Sequence, residues 1–374
     1  MAAVSGHCDE RFAAVRTAFE TNLGEGRDLG ASCAVYLDGE PVVDIWGGHV
    51  DVERTTPWTA DTIVNVWSST KTMTALVALM LADAGELDMG ARVVRYWPEF
   101  GAAGKRDMEV RHLLGHTSGL AGWTEQVAVE DLYDWEKATG LLAAQEPWWT
   151  PGSASGYHAL TQGYLVGELV RRITGQGVGR FLAREVTGPL GADFFIGTPE
   201  SADARVALVV PPERLARISE GDAPLASRTF VNPLLSAETS WSLRWRRAEI
   251  PAANGHGNAR SVAAVHSVLA CGGEARGVRL LSAAGCERVF EEQSDGTDLV
   301  LGVPLRFGLG FALFRRDLPG GARTCSWGGW GGSVVVADLD TRLCVAYVMN
   351  KMGSGLVADA RNAALVQAAF GALH

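Results

Sequence analysis

No stretch of this 374-residue chain approaches the roughly 20 consecutive apolar residues that a bilayer-spanning helix needs. The longest apolar run, Ala75 to Ala82, has the length of a core helix, and a membrane role is not expected. Basic charge is also scarce. The net charge is −10, and nothing resembles the basic stripe that neutralises a phosphate backbone, which argues against a nucleic-acid partner. The one basic cluster, Arg244 to Arg247, reads as a solvated or salt-bridged face. Six cysteines are scattered without CxxC or Cys–His spacing, so free, mostly buried thiols are expected and no metal site. Asp9, Glu10 and Arg11 occupy the place where a signal peptide needs its apolar centre. A cytoplasmic protein is therefore expected, with Phe12, Val15, Phe19 and Leu23 forming one face of a first helix. There is no G-x-S-x-G nucleophile elbow, no H-E-x-x-H, no P-loop and no dinucleotide fingerprint.

Lysine is almost absent, at four positions only: 71, 105, 137 and 351. At position 71 the chain therefore uses a base that burial can neutralise, where it elsewhere uses arginine, which keeps its proton.

What is present is an ordinary globular composition, 47% hydrophobic and 20% charged. Apolar alternation around Asp38-Gly39 predicts a β-hairpin. Residues 303–316, 322–340 and 341–351 predict further antiparallel strands, followed by a helix from Val357 to His374. Strands at both chain ends must share one sheet, and the middle reads as helical, with residues 201–253 irregular. The expected fold is α+β: an antiparallel sheet flanked by N- and C-terminal helices, plus a mostly helical insertion. The expected division is residues 1–85 with 245–374 as the sheet domain and 86–244 as the helical one, the site lying in the cleft between them.

The polar corner Ser68-Ser69-Thr70-Lys71 sits between an apolar strand and an apolar helix. Helical positions three apart share a face, so the Lys71 amine reaches the Ser68 hydroxyl. A serine hydroxyl is a poor nucleophile until a neighbour takes its proton, and lysine does so only as a neutral amine. By itself this tetrapeptide is better explained as a capped core helix with a snorkelling lysine. Three further stretches change that balance: Leu113 to Leu120 (LLGHTSGL), the segment around Tyr157, and Trp327-Gly328-Gly329 at a strand start.

In this order and spacing the set resembles the serine β-lactamase and penicillin-binding-protein superfamily, and within it the family VIII carboxylesterases, over nearly the whole chain. The stretch Pro251 to Arg260 is similar to a recurrent element of that group. The resemblance implies a β-lactamase/transpeptidase-like fold, with Ser68 as acylated nucleophile, Lys71 as general base and Tyr157 as proton shuttle. It implies oxyanion-hole N–H groups from Ser68 and Trp330. It also implies a small-molecule ester substrate and no metal or organic cofactor.

Two departures matter. Trp327 stands where the β-lactamases carry Lys or His, and Ala159 stands where their Tyr-x-Asn motif carries asparagine. Both losses remove donors for an anionic β-lactam and favour short-chain neutral esters. The expected substrate-binding residues are Trp327, Gly328, Gly329, His158, Trp123, Trp149 and His256. His116 is expected to hydrogen-bond within its own loop. The competing readings are an acyltransferase using the same site, a β-lactamase or D,D-peptidase, and a non-catalytic binding protein.

Overall fold

The computed structural model describes residues 4–212, 225–314, 319–356 and 359–374. Its main sheet has nine strands: β1 (Val4–Cys8), β2 (Gly30–Leu37), β3 (Glu40–Gly48), β4 (Ser294–Thr297), β5 (Pro304–Phe307), β6 (Ala312–Leu313), β7 (Thr324–Gly328), β8 (Val334–Asp338) and β9 (Leu343–Met349). They lie in the order β1-β3-β2-β9-β8-β7-β6-β5-β4, every pair antiparallel.

The two chain ends meet where β2 pairs with β9, from Ala31 opposite Met349 to Leu37 opposite Leu343. The Asp38-Gly39 hairpin forms as expected. Both residues take positive φ (52° and 84°), the conformation that lets a two-residue turn follow the twist of its strands.

Among the longer helices are α1 (Ala13–Gly24), α2 (Thr70–Asp83), α3 (Thr161–Thr174), α4 (Ala259–Ala270) and α5 (Ala360–Gly371), of which α1, α4 and α5 pack on the main sheet. Helices α1 and α5 pack on each other, while α4 packs on β2, β8 and β9. Strand β2 is buried along its length up to the half-buried Leu37, as a central strand covered on both faces must be. Helix α2 is apolar nearly all round and is buried accordingly, packed against α3.

The ends of the chain differ from expectation in detail. Phe12, Val15, Phe19 and Leu23 are buried as one face, but helix α1 begins only at Ala13, and Val4–Cys8 is an edge strand on β3. That strand carries Ser, Gly and His with little apolar alternation, so its pairing leaves no periodic trace. At the other end α5 starts at Ala360, where the Asp359 carboxylate accepts the Arg361 N–H at 2.8 Å. Val357 and Ala358 lie outside the described residues.

The stretch 303–316 is not one strand. It turns at Gly308–Gly310, and Gly310 (φ 82°) sits so close to α2 that a Cβ there would fall 2.2 Å from Ala75 Cβ. Arg315 and Arg316 lie outside the described residues. The described part of 201–253 carries only short helical turns and the two-residue strand Val206–Ala207.

A second, four-stranded sheet decides where the polar corner stands. Strand Ile63–Asn65 pairs in parallel with Val206–Ala207 and antiparallel with His256–Gly257, which in turn pairs with Phe194–Phe195. Ser68 follows this small sheet directly, so the serine hangs between the helical middle of the chain and the main sheet.

Candidate active site

Ser68 sits in the tight turn Trp67–Ser69 that leads into α2. Trp67 has φ 49°, a left-handed conformation that a bulky side chain adopts only when its surroundings hold it there. They do so here. The Trp67 ring lies 5.0 Å from Trp330 and 5.7 Å from Trp245, and the Thr70 hydroxyl donates to the Trp67 carbonyl at 2.5 Å. The remaining polar groups of the corner serve the junction. Ser333 Oγ donates to the Val66 carbonyl (2.8 Å), which leaves Ser69 to donate to Ser333 (3.0 Å); Thr72 donates to the Ser69 carbonyl.

Lys71 is fully buried. Its Nζ lies 3.2 Å from Ser68 Oγ, 2.7 Å from the Ala159 carbonyl and 2.9 Å from the Ala252 carbonyl. Burial pushes its pKa well below the ordinary lysine value, because an ammonium loses its hydration there. A neutral amine has two N–H donors and one lone pair. Two carbonyls, which only accept, take both protons and leave the lone pair for the Ser68 hydroxyl. The Tyr157 hydroxyl donates to Ser68 Oγ from the other side at 2.5 Å. Burial pushes that phenol above its usual range, partly offset by its contact with Ser68 and the Trp327 side chain, so it holds its proton at neutral pH.

Tyr157 is carried by a loop whose three successive N–H groups are all taken. Gly156 donates to the His116 carbonyl (3.0 Å), Tyr157 to Asp298 Oδ1 (3.0 Å) and His158 to His116 Nδ1 (3.0 Å). His116 therefore binds the tyrosine loop rather than its own loop. Burial pushes its pKa well down, so it is a neutral acceptor at Nδ1.

The turn Gly329–Ser333 brings the third stretch onto the corner. A Cβ on Gly329 would fall 2.1 Å from the Val66 carbonyl oxygen, so only glycine allows this approach. Trp327 stacks on His116 at 5.2 Å and 19° and lies 6.1 Å from the Tyr157 ring. The backbone N–H groups of Ser68 and Trp330 donate to no protein acceptor among the described residues.

These groups open into a cleft of about 1040 Å³, lined by Ser68, Tyr157, Trp327, Gly328, Gly329 and Trp330, with apolar walls that include Phe230, Leu234, Leu301 and Phe307. Its residues come from the N-terminal, middle and C-terminal parts of the chain. Among its described lining residues none is Lys, Arg or His.

The structure does not place the other four expected binding residues on this wall. His158 is buried, with Nδ1 donating to the Gly156 carbonyl and Nε2 accepting from Ser118. His256 is buried in the small sheet with Nδ1 on the Asn254 carbonyl. Trp123 is buried and donates to the Ala138 carbonyl, while Trp149 donates to Ala154 and backs Gly156. Position near a motif in sequence does not say on which side of the loop a ring packs. Sequence reasoning also missed Asp298, Phe230 and the two carbonyls at Lys71. A backbone carbonyl carries no residue-type signal. Among the described residues no three His, Cys, Asp or Glu side chains are grouped to hold a metal ion.

A serine and a buried lysine one helical turn apart, set against an antiparallel sheet of this order, define a serine hydrolase of the β-lactamase/transpeptidase-like fold. The chain belongs to the Beta-lactamase family, whose model matches residues 15–370. It is 37% identical over 375 residues to the esterase/beta-lactamase LipL of Mycobacterium tuberculosis, covering 95% of this chain and 84% of that one. Among solved structures it superimposes with TM-score 0.94 on a family VIII carboxylesterase, at 41% identity over 99% of this chain and all of the other. A penicillin-binding protein homologue from Caulobacter crescentus matches at TM-score 0.94 and 38% identity, again covering 99% and 100%. No helix among the described residues is long and apolar enough to cross a membrane.

Proposed function

We propose that the chain is a carboxylesterase that hydrolyses neutral esters through an acyl-Ser68 intermediate. The observation that carries this reading is the environment of one oxygen. Ser68 Oγ receives the Tyr157 hydroxyl at 2.5 Å and faces a lysine amine whose two protons are already engaged by carbonyls. In acylation the Lys71 lone pair takes the Ser68 proton as Oγ bonds to the ester carbonyl carbon. The carbonyl oxygen becomes an oxyanion, for which the unengaged N–H groups of Ser68 and Trp330 are the donors. Collapse breaks the bond to the alkoxide, which takes the Tyr157 proton, and Lys71 returns its proton to the phenolate. Water repeats the sequence in deacylation, with the same two groups moving its proton.

Neutral esters are favoured because the described cleft walls offer no cationic side chain, Trp327 gives no charge and Ala159 no amide. Short acyl groups fit with room to spare, so short p-nitrophenyl esters serve as test substrates. Ser68→Ala is expected to abolish their hydrolysis, and mass mapping of the wild type is expected to place the acyl group on Ser68. Full activity in the variant overturns the reading. LipL is named as both an esterase and a β-lactamase, which supports a second, β-lactamase activity here. Slow nitrocefin turnover lost in the same variant would establish it.

A further inference from the structure

We propose that Asp298 is a positioning residue for Tyr157: one carboxylate oxygen gathers the N–H groups of Tyr157, Val300 and Leu301 and so locks the tyrosine loop to the turn that walls the cleft. The proposal rests on the reading of Ser68 and Tyr157 as the acyl-transfer pair.

Asp298 lies 141 residues from Tyr157 in the chain and has no solvent exposure. Its Oδ1 accepts from Tyr157 N at 3.0 Å, Val300 N at 2.9 Å and Leu301 N at 2.9 Å. The two segments are stitched a second time, since Leu299 N donates to the Ser155 carbonyl at 2.9 Å. A buried carboxylate is costly. Its pKa is raised by that burial, and the three N–H bonds oppose the rise by favouring the charged form. An apolar residue would cover the same volume without that cost, but it would leave three inward N–H groups unpaired. Two of them, on Val300 and Leu301, belong to the aspartate's own turn, where the carboxylate closes a local loop. The third belongs to Tyr157 and is the contact the turn itself does not need.

The consequence falls on the hydroxyl. The N–H groups on either side of Tyr157 are held by His116, so Asp298 supplies the one tie made to the tyrosine's own amide. Releasing it lets the ring swing between His116 and Phe230, whose centroids lie 5.4 and 6.5 Å away, and takes the hydroxyl off Ser68. Chemistry is then slowed while the remaining cleft walls still bind ester.

The test compares Asp298→Ala, Asp298→Asn and wild type in hydrolysis of p-nitrophenyl butyrate, with fluorophosphonate labelling of Ser68 and melting temperatures in parallel. Asp298→Ala is expected to lower kcat by about tenfold to a hundredfold with KM changed less than about threefold, and to slow labelling in step. Asp298→Asn keeps an acceptor oxygen and is expected to restore kcat to within about threefold of wild type. A folded Asp298→Ala with wild-type kcat, or a loss that asparagine does not restore, overturns the proposal. If the alanine variant does not fold, Asp298→Glu moves the acceptor by one methylene. It is then expected to lower kcat about fivefold or more at constant KM, and a wild-type kcat there overturns the proposal. Failure of wild-type Ser68 to label at all instead overturns the esterase reading.

Discussion

The carbonyl of Ala252 accepts a hydrogen bond from the Lys71 amine at 2.9 Å, across 181 residues of chain. With the Ala159 carbonyl on a second proton, this contact makes the amine directional: its remaining lone pair has only Ser68 Oγ to face. The loop that supplies the carbonyl is itself built for it. Asn254 donates to the carbonyls of Trp245 and Ala248, Gly255 N donates to Thr70 Oγ1, and Thr74 donates to the Pro251 carbonyl, so Pro251–Gly255 is wrapped on the first turns of α2.

Lys71→Arg is expected to lower kcat/KM for short p-nitrophenyl esters by about 10²–10⁴-fold, because guanidinium keeps its proton and cannot act as the base. Circular dichroism should show the fold retained. A loss of less than tenfold contradicts the assignment.

The pH profile tests the same amine without a mutation. Burial lowers the Lys71 pKa well below 10.5, so the neutral, active form is the one present above that lowered value. The rate is expected to reach its plateau well below pH 10.5 and to fall on acidification as Lys71 gains a proton. A rate that rises only near the ordinary lysine pKa would show that the amine is not neutralised.

Gly329→Ala places a Cβ 2.1 Å from the Val66 carbonyl and 2.3 Å from Ser333 Oγ, which forces the turn that carries the Trp330 N–H away from Ser68. Loss of one oxyanion donor costs about 10²–10³-fold in kcat. Gly328→Ala, whose Cβ would meet no protein atom closer than 3.4 Å although it lies in the cleft wall, is expected to cost less in kcat. Equal kcat values in the two variants would remove the turn from the mechanism.

Arg361 is buried and bridges Asp28 (2.9 Å), Asp359 (2.6 Å) and the Gly331 carbonyl (2.6 Å). Arg361→Ala strands two carboxylates and frees the oxyanion turn, an expected loss of about 3–5 kcal/mol in urea unfolding. A change under about 1 kcal/mol would show that solvent or neighbouring donors replace it.

Acid should also unfold the protein through its histidines. Burial lowers His158 to about 3 and His256 and His266 to about 4. Below about pH 6.5 the unfolded chain binds protons that these folded sites refuse, so stability falls as pH drops towards those lowered values. Each contributes a slope of up to about 1.4 kcal/mol per pH unit. Chemical denaturation at pH 7, 5.5 and 4.5 measures it, and a flat stability over that range contradicts the burial.

Legibility differed by the kind of signal. The hairpin at Asp38-Gly39 was plain because two adjacent residues must take positive φ, and the chain-end strands were plain because they alternate. The edge strand Val4–Cys8 was not, since its order comes from β3 and not from its own pattern. In the site, helical spacing puts Ser68 and Lys71 together, but they were readable as a site only beside the stretches at Leu113 to Leu120, Tyr157 and Trp327-Gly328-Gly329. Trp123, Trp149, His158 and His256 were misplaced as cleft residues because an aromatic or imidazole near a motif packs inward as readily as outward.

The sequence by itself determined the local chemistry: a serine three residues before a lysine at the entry to a helix too apolar to lie at the surface, a hairpin, and a sheet closed by both chain ends. These follow from covalent spacing and from the burial that apolar side chains demand. Only the tertiary structure decided which polar groups act together. The two carbonyls on Lys71, the carboxylate on the Tyr157 amide and the glycine turn against Val66 come from segments far apart in the chain. Their meeting is set by packing between helices and sheets, for which no single segment carries a pattern.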